Sequence, residues 1–183
     1  MQPKVSIILL NCNGKEFTID CLKSLQKINY KNYEVIVVDN GSDDGFVSIA
    51  KKQFPYVKLI ESKKNLGFAQ GNNVGAELAL KNGSDYVLLL NNDTVVDRNF
   101  LKELVNIAES DKTTGITGPK MYYFDSPKKI WFAGGKLDIK RGLFDHIGYK
   151  ELDSDRFSKQ KEVDYMTGCT MPVSYTHLTL PTN

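Results

Sequence analysis

The sequence is poor in cysteine and histidine and carries almost no net charge. Cys12, Cys21 and Cys169 form no Cys-x-x-Cys pair, so the sequence predicts neither a disulfide framework nor a structural zinc site. His146 and His177 lack the spacing of a metal or nucleophile pair. The formal charge of +2 argues against the basic surface of a nucleic-acid-binding protein. We therefore expect a reducing, cytoplasmic location and no nucleic-acid partner.

Long apolar runs and several nucleotide motifs are also missing. No run reaches the roughly 18 residues of a membrane-spanning helix. The apolar segment Val5–Leu10 is too short for a secretory signal and runs directly into polar residues. There is no P-loop and no nucleophile elbow, and the glycines at 67, 71 and 75 do not form Gly-x-Gly-x-x-Gly. The missing glycine fingerprint disfavours a nicotinamide-dependent dehydrogenase.

The 183 residues, 41% of them hydrophobic and 25% charged, are typical of one globular domain with a buried core. Short apolar runs alternate with segments of helical periodicity, which predicts an α/β fold with a mostly parallel sheet flanked by helices. The predicted strands are Val5–Leu10, Glu34–Val38, Val57–Ile60 and Tyr86–Leu90, and the predicted helices are Lys15–Gln26, Phe46–Phe54, Phe68–Lys81 and Asn99–Ser110.

The helix predicted at Phe68–Lys81 has two distinctive faces. Ala69, Asn73, Ala76 and Leu80 share one stripe. Glycines at 67, 71 and 75 recur every four residues and leave a second face without side chains. That face can lie close to the sheet or let a ligand approach the backbone.

The pattern changes after residue 115. Short apolar pieces separated by glycines predict a small region rich in hairpins. The segment from Ser174 to Asn183 has no helical stripe and no charge. We therefore predict one domain over residues 1–173 and a non-native or disordered tail over 174–183.

Polar clusters follow each of the four predicted strands: Asn11–Gly14, Asp39–Asp43, Lys64–Gly67 and Asn91–Asp93. One such cluster is explained by turn chemistry alone. Four clusters at the carboxyl ends of parallel strands predict a ligand crevice at one sheet edge. A hard cation such as Mg²⁺ or Mn²⁺ bridging phosphates would partner the acidic members.

Four segments carry a family likeness: Val5–Gly14, Val35–Asp44, Asn65–Gly75 and Leu88–Thr94. In this order they resemble the GT-A glycosyltransferases of family 2, most closely the rhamnosyltransferase-like branch. The resemblance covers about Lys4 to Met171. It implies the GT-A, or nucleotide-diphospho-sugar transferase, fold. It also implies inverting transfer of a sugar from a UDP- or dTDP-sugar to a glycan or polysaccharide acceptor.

The resemblance implies roles for most of these polar residues. Asp39 would contact the nucleotide base, and the loop after the first strand would contact the nucleotide from its other side. Asn65 and Gly67 would lie on the donor side. The residues predicted to bind the donor are Asn11, Asn13, Asp39, Asn40, Ser42, Asn65, Gly67, Asn91 and Asn92.

The metal-binding motif of the family corresponds here to Asn91–Asp93 in place of Asp-x-Asp. Asp93 is the one carboxylate carried over as a ligand of Mn²⁺ or Mg²⁺, with Asn91 as a weaker or outer contributor. A divalent cation would stabilise the negative charge that develops on the diphosphate leaving group. The competing interpretation is that Asp93 only begins a turn with Thr94.

The segment Val163–Met171 resembles the family segment before the acceptor region, where Gly168 and Cys169 are interpreted as ordinary strand-end residues. Relatives continue with a carboxylate pair, one member of which is expected to deprotonate the acceptor. Here the chain runs into Pro172 and the tail, which predicts truncation after the donor-binding half. The catalytic base is therefore expected beyond the chain. Asp164 is the one candidate within it, although a solvent-facing carboxylate explains it equally well.

Two functions stay open at this point. One is an enzyme of polysaccharide or cell-wall assembly, acting in the cytoplasm or at the inner face of the membrane on a glycan or lipid-linked saccharide. The other is a nucleotide-sugar-binding fragment or module without turnover. Peripheral membrane association and homo-oligomer formation are compatible with both functions.

Overall fold

The computed structural model describes residues 2–111 and 113–174 and divides the chain into two compact units. One unit comprises the chain up to Thr117 together with the stretch from Gly168 onward. The other is Gly118–Thr167. The predicted donor-binding residues all belong to the first unit, and Asp164 belongs to the second.

Strands and helices alternate through the first unit, and each predicted element is present with small shifts at its ends. In chain order the elements are β1 Val5–Asn11, α1 Lys15–Leu25, β2 Tyr33–Asp39, α2 Phe46–Gln53, β3 Lys58–Glu61, α3 Phe68–Lys81, β4 Tyr86–Asn91, α4 Phe100–Ser110, β5 Met121–Tyr123, β6 Ser126–Phe132, β7 Gly135–Asp138, β8 Leu143–His146, a short 3-10 helix Asp155–Phe157, and β9 Thr170–Ser174.

The main sheet has five strands in the order β3-β2-β1-β4-β9. The first four are parallel, which confirms the predicted mostly parallel sheet, and β9 runs antiparallel to β4. The register places Asn11 beside Asp39, and Leu10 beside Asn91. The carboxyl ends of β1, β2 and β4 therefore meet at one edge, as expected for a ligand crevice.

Strand β9 was not predicted from the sequence. It contains Pro172, which lacks an N–H, and proline is confined to sheet edges or strand ends. Its outer side is covered in part, since the carbonyl of Pro172 accepts a hydrogen bond from the N–H of Thr117 at 3.3 Å. Ser174, the first residue of the predicted tail, pairs with Tyr86. The rest of that tail, 175–183, lies outside the described residues.

Strands β1, β2 and β4 are largely buried, whereas the edge strand β3 has no fully buried residue. Ile7 and Leu9 of β1 pack on the side of α1, α2 and α4, while Ile8 packs on the side of α3. Full burial of one such side chain stabilises the fold by about 1.5–3 kcal/mol. The core therefore fixes β1 in the centre of the sheet, and with it the position of Asn11 at the strand end.

Helix α3 lies on the sheet through its glycines. A Cβ added at Gly71 would stand 2.5 Å from Cδ1 of Leu10, and one at Gly75 would stand 2.6 Å from Cγ2 of Ile8. This confirms that the glycine face can approach the sheet closely. Within the stripe of Ala69, Asn73, Ala76 and Leu80, Ala76 is buried whereas Ala69 is exposed. The close approach of the glycines rotates the buried face toward positions 71, 72, 75, 76 and 79.

The second unit contains two small antiparallel sheets, β5–β6 and β7–β8, which agrees with the predicted hairpin-rich region. Across both units, the part of the chain that is described contains no helix long and apolar enough to cross a membrane. Among the described residues, Cys12 and Cys21 are free thiols.

Candidate functional site

Asn11 is the hub of a buried hydrogen-bond network at the end of β1. Its side chain is fully buried. The amide nitrogen donates to Oδ1 of Asp39 at 2.9 Å and to Oγ of Ser42 at 3.0 Å. The amide oxygen accepts a hydrogen bond from the hydroxyl of Thr18 at 2.8 Å. The Asn11 amide therefore joins β1, the loop after β2 and helix α1.

The loops after β1 and β2 are tied to each other around Ser42. The hydroxyl oxygen of Ser42 accepts the N–H of Asn13 at 3.0 Å, and the N–H of Ser42 donates to Oδ2 of Asp39 at 3.1 Å. Asn13 has φ 52°, a left-handed conformation that asparagine tolerates, and its side chain accepts the N–H of Asp43 at 2.9 Å. Asp39 is only 3% exposed, and both oxygens of its carboxylate accept hydrogen bonds from neighbouring residues.

Asn40 ties the loop after β2 to the loop before α3. Its amide nitrogen donates to Oδ1 of Asn65 at 2.8 Å, and its oxygen accepts the N–H of Leu66 at 2.8 Å. Asn65 also accepts the N–H of Gly67 at 2.7 Å. Gly67 has φ +79° with open space around its α-carbon, so backbone conformation, and not crowding, requires glycine there. The structure thus brings Asn40, Asn65 and Gly67 together.

Thr18, which the sequence did not single out, connects this network to the loop after β4. It is fully buried on α1, and its hydroxyl oxygen accepts the amide N–H of Asn92 at 2.8 Å. Asn92 also lies 3.4 Å from the amide oxygen of Asn11. In the sequence, Thr18 could have been noticed as a polar residue on the apolar face of α1, which it shares with Cys21, Leu22 and Leu25.

A cleft of about 170 Å³ opens beside Asn91, Asn92 and Asp93. Asp93 is exposed, and its carboxylate makes no hydrogen bond or ion pair within residues 2–111 and 113–174. Asn91 contacts Cys169, the residue directly before β9: the N–H of Asn91 donates to the carbonyl of Cys169 at 2.8 Å, and the amide nitrogen of Asn91 lies 3.4 Å from Cys169 Sγ. Gly168 forms part of the same wall.

The residues at this cleft fit a cation that binds together with a diphosphate. No group of three or more His, Cys, Asp or Glu side chains able to hold a metal occurs in the described portion of the chain. Asp93 would supply one carboxylate, and Asn91 and Asn92 line the same cleft with amide groups whose oxygens could be added to it. Mg²⁺ is commonly held by one or two carboxylates, with substrate phosphates and water completing its shell.

The Cys21 thiol lies behind the network and takes no part in nucleophilic chemistry. The pKa of this thiol is raised to about 12, chiefly by burial; the contact with the Thr94 hydroxyl lowers the pKa, and the charge of Asp93 raises it. The thiol is protonated at neutral pH, and only the thiolate is a good nucleophile.

Asp164, the candidate base, has a structural contact within the second unit. Its exposed carboxylate accepts the N–H of Leu137 at 2.8 Å, and its own N–H donates to the carbonyl of Gly135 at 3.0 Å. These bonds hold it against β7. Its catalytic role stays a prediction.

Comparison with known proteins gives a family match over nearly the whole chain. The model described as "Glycosyl transferase family 2" matches residues 6–174. Among curated proteins, the chain is similar to "Glycosyltransferase GlyG" of Streptococcus pneumoniae serotype 4, with 24% identity over 135 residues. That alignment covers 72% of this chain and 44% of the relative. The chain thus spans less than half the length of this relative.

Two solved structures share the fold. The mannosyltransferase PcManGT from Pyrobaculum calidifontis, in complex with GDP-Man and Mn²⁺, matches with a TM-score of 0.58 and 24% identity, over 66% of this chain and 36% of that one. S. aureus TarS 1–349, in complex with UDP-GlcNAc, matches with a TM-score of 0.55 and 20% identity, over 67% of this chain and 41% of that one. At these identities the likeness concerns the fold, which is GT-A.

Proposed function

The chain belongs to glycosyltransferase family 2, and on this basis we propose that it binds a nucleoside-diphosphate sugar at the carboxyl ends of β1 to β4. In the whole protein, this donor would pass its sugar, with inversion, to a glycan or polysaccharide acceptor. The finer assignment to the rhamnosyltransferase-like branch is part of the proposal and rests on the four sequence motifs.

The observation that carries the proposal is the network centred on Asn11. It connects Asp39, the predicted base contact, through Thr18 to Asn92, which precedes the predicted metal ligand. A site whose polar groups are already held in place loses little conformational entropy when the ligand binds. The two predicted ends of the donor site are therefore linked by one buried, hydrogen-bonded unit.

We assign the nucleotide end to the loops around this unit. Asp39 would accept an N–H of the base, since a carboxylate has lone pairs beyond the two it uses for Asn11 and Ser42. The other predicted contacts, Asn13, Asn40, Asn65 and Gly67, would shape the adjoining wall. PcManGT holds a guanine nucleotide and TarS a uracil nucleotide, so UDP and dTDP donors must be tested beside GDP donors.

We assign the diphosphate end to the loop after β4. Asp93, with Asn91 as an additional oxygen donor, would hold Mn²⁺ or Mg²⁺ beside the diphosphate. When bound, the cation would supply positive charge that favours departure of the diphosphate. The Mn²⁺ of the PcManGT complex supports a divalent cation in a protein of the same fold.

Donor binding without turnover is the second candidate. Asp164 is the one base predicted within the chain, and its carboxylate already accepts a backbone N–H from Leu137. General-base assistance is worth roughly 10²–10⁴ in rate, so its absence would separate binding from transfer. The cytoplasmic location, the glycan or lipid-linked acceptor, membrane association and self-association rest on the resemblance and stay proposals.

Calorimetry with UDP, dTDP and GDP, each with and without Mn²⁺, tests the donor site. We expect Mn²⁺ to strengthen binding of at least one nucleotide, and Asp93→Asn to remove that gain. Asp97→Asn is the matched control, because Asp97 is an exposed carboxylate four residues further along the chain. Equal Mn²⁺-dependent affinity in Asp93→Asn and wild type would overturn the metal assignment.

Donor turnover, measured with a panel of sugar nucleotides and glycan acceptors, separates the two candidate functions. Binding without turnover would favour the second candidate. Acceptor-dependent turnover would favour the enzyme, and its loss in Asp164→Asn would identify Asp164 as the base.

A further inference from the structure

Asn72 is a buried polar residue that lines the cleft beside Asp93. It lies in the first half of α3 and is only 6% exposed. Its neighbour Gly71 lies against Leu10, which draws the helix down onto β1. As a result Asn72 lines the same cleft as Asp93, together with the exposed ring of Phe68. Neither Asn72 nor Phe68 was among the predicted donor-binding residues.

The orientation of the Asn72 amide is fixed by its own helix. Its nitrogen donates to the backbone carbonyl of Phe68 at 2.9 Å. Because a carbonyl only accepts hydrogen bonds, the nitrogen must face Phe68 and the oxygen must face the other way. That oxygen accepts no hydrogen bond from the described residues. It is also not fully buried, so it remains accessible to solvent or to a ligand. Asn72 therefore presents a free acceptor to the cleft.

A hydrogen-bond acceptor without a partner favours ligands that carry a hydrogen-bond donor. A carbonyl oxygen can bind a hydroxyl but repels the oxygens of a phosphate, which are acceptors themselves. An acceptor beside an apolar ring suits a hydroxylated sugar, since binding pockets combine apolar walls with a few polar groups that fix orientation. A sugar is the one part of a nucleoside-diphosphate sugar that brings several hydroxyl donors beyond the diphosphate.

We propose that Asn72 accepts a hydrogen bond from a hydroxyl of the donor sugar and is a specificity-determining residue for that sugar. This inference rests on the proposed function. In this arrangement the donor sugar binds against Asn72 and Phe68, and the nucleotide binds at the network around Asn11.

The test compares each sugar nucleotide with its own nucleotide: UDP-glucose with UDP, dTDP-rhamnose with dTDP, and GDP-mannose with GDP, all with Mn²⁺. Asn72→Leu keeps the volume of the side chain and removes the acceptor. We expect it to weaken binding of the preferred sugar nucleotide about three- to tenfold, as for loss of one neutral hydrogen bond, and to leave the matching nucleotide unchanged. Gln70→Leu, an exposed amide on the same helix, is the control and should change neither.

A second measurement does not depend on the variant. A series of deoxy analogues of the preferred sugar nucleotide should show one hydroxyl whose removal weakens binding to wild type about three- to tenfold. Removal of that same hydroxyl should make no difference in Asn72→Leu, because coupled partners are not additive.

The outcomes distinguish the two levels of inference. An equal loss for nucleotide and sugar nucleotide in Asn72→Leu, no loss for either, or no sensitive hydroxyl in wild type would overturn the role of Asn72 and leave the donor site standing. No binding of any nucleotide or sugar nucleotide to wild type would overturn the proposed function, and the role of Asn72 with it.

Discussion

The hydroxyl oxygen of Thr18 accepts a hydrogen bond from the Asn92 amide at 2.8 Å, although 74 positions separate the two residues. Thr18 also donates to the amide oxygen of Asn11. One buried hydroxyl thus lies between the end of β1 and the loop after β4. We expect the orientation of Asn92, and of Asp93 next to it, to depend on this contact.

Replacing Thr18 tests that dependence. Thr18→Val keeps the shape and removes the hydroxyl, which leaves the Asn92 amide without its closest acceptor. We expect the free energy of unfolding to fall by about 1–3 kcal/mol, and Mn²⁺-dependent nucleotide binding to weaken. Urea unfolding and calorimetry measure the two effects. Thr18→Ser retains the hydroxyl and should bind like wild type; Thr18→Val binding Mn²⁺ and nucleotide normally would contradict the positioning role.

Asp39 should matter for the nucleotide and not for the cation. Asp39→Ala is expected to weaken nucleotide binding by about 1–3 kcal/mol, because it removes a buried hydrogen-bond partner, while the ratio of affinities with and without Mn²⁺ persists. Asp20→Ala removes an exposed carboxylate from α1 and serves as the control. Thermal unfolding establishes that the variants are folded. Unchanged affinity in a folded Asp39→Ala would remove Asp39 from the site.

The glycine face of α3 predicts a steric effect on stability. In Gly71→Ala the new methyl group would stand 2.5 Å from Cδ1 of Leu10, so the Leu10 side chain must be displaced or the helix must move away from the sheet. Overpacking of this kind costs about 1–3 kcal/mol in the free energy of unfolding. Gly168→Ala meets nothing within 4 Å and should stay within about 0.5 kcal/mol of wild type. Urea unfolding that finds the two variants equally stable would refute the close approach.

Glu34 makes the stability depend on pH. Burial alone would raise its pKa, but hydrogen bonds from Lys58, Ser6 and Asn82, together with the charge of Lys4, bring the pKa below its ordinary value of 4.5. A carboxyl whose pKa is lowered by folding stabilises the native state above its unfolded pKa. That contribution is lost as the pH falls through the lowered value.

Glu34→Gln should therefore be less stable than wild type by about 1–3 kcal/mol at pH 7, and the difference should shrink as the pH falls below about 4.5. Urea unfolding across this range measures both. Glu77→Gln, on an exposed position of α3, is the control. A difference that does not change with pH would show that the Glu34 charge is not what stabilises the fold.

The elements of the parallel sheet were predictable because apolar runs and helical periods are local. Strand β1 and helix α3 begin where the sequence placed them. Strand β9 was not predictable, because it contains Pro172 and exists through pairing with the distant strand β4. Periodicity alone did not define the buried face of α3, since periodicity counts side chains whereas contact with the sheet is made by Gly71 and Gly75.

The candidate site was predictable to a similar extent. Polar clusters at strand ends identified the loops, and the structure brings Asn11, Asp39 and Ser42 into one network. Thr18 and Asn72 were missed because each lies within a helix, where a single polar residue gives no sign of which partner it will meet. Their roles depend on how α1 and α3 lie on the sheet.

The pairing of β4 with β9 has a consequence for synthesis of the chain. Asn91 at the end of β4 and its partner Cys169 are 78 positions apart. At roughly 5–20 residues per second, a ribosome needs about 4 to 16 s to add that stretch. During this interval the nascent chain carries β4 with one side of its backbone unpaired, and such an edge favours pairing with other chains. The time for which aggregation competes with folding is therefore set by the translation of residues 92–169, most of which belong to the 118–167 unit.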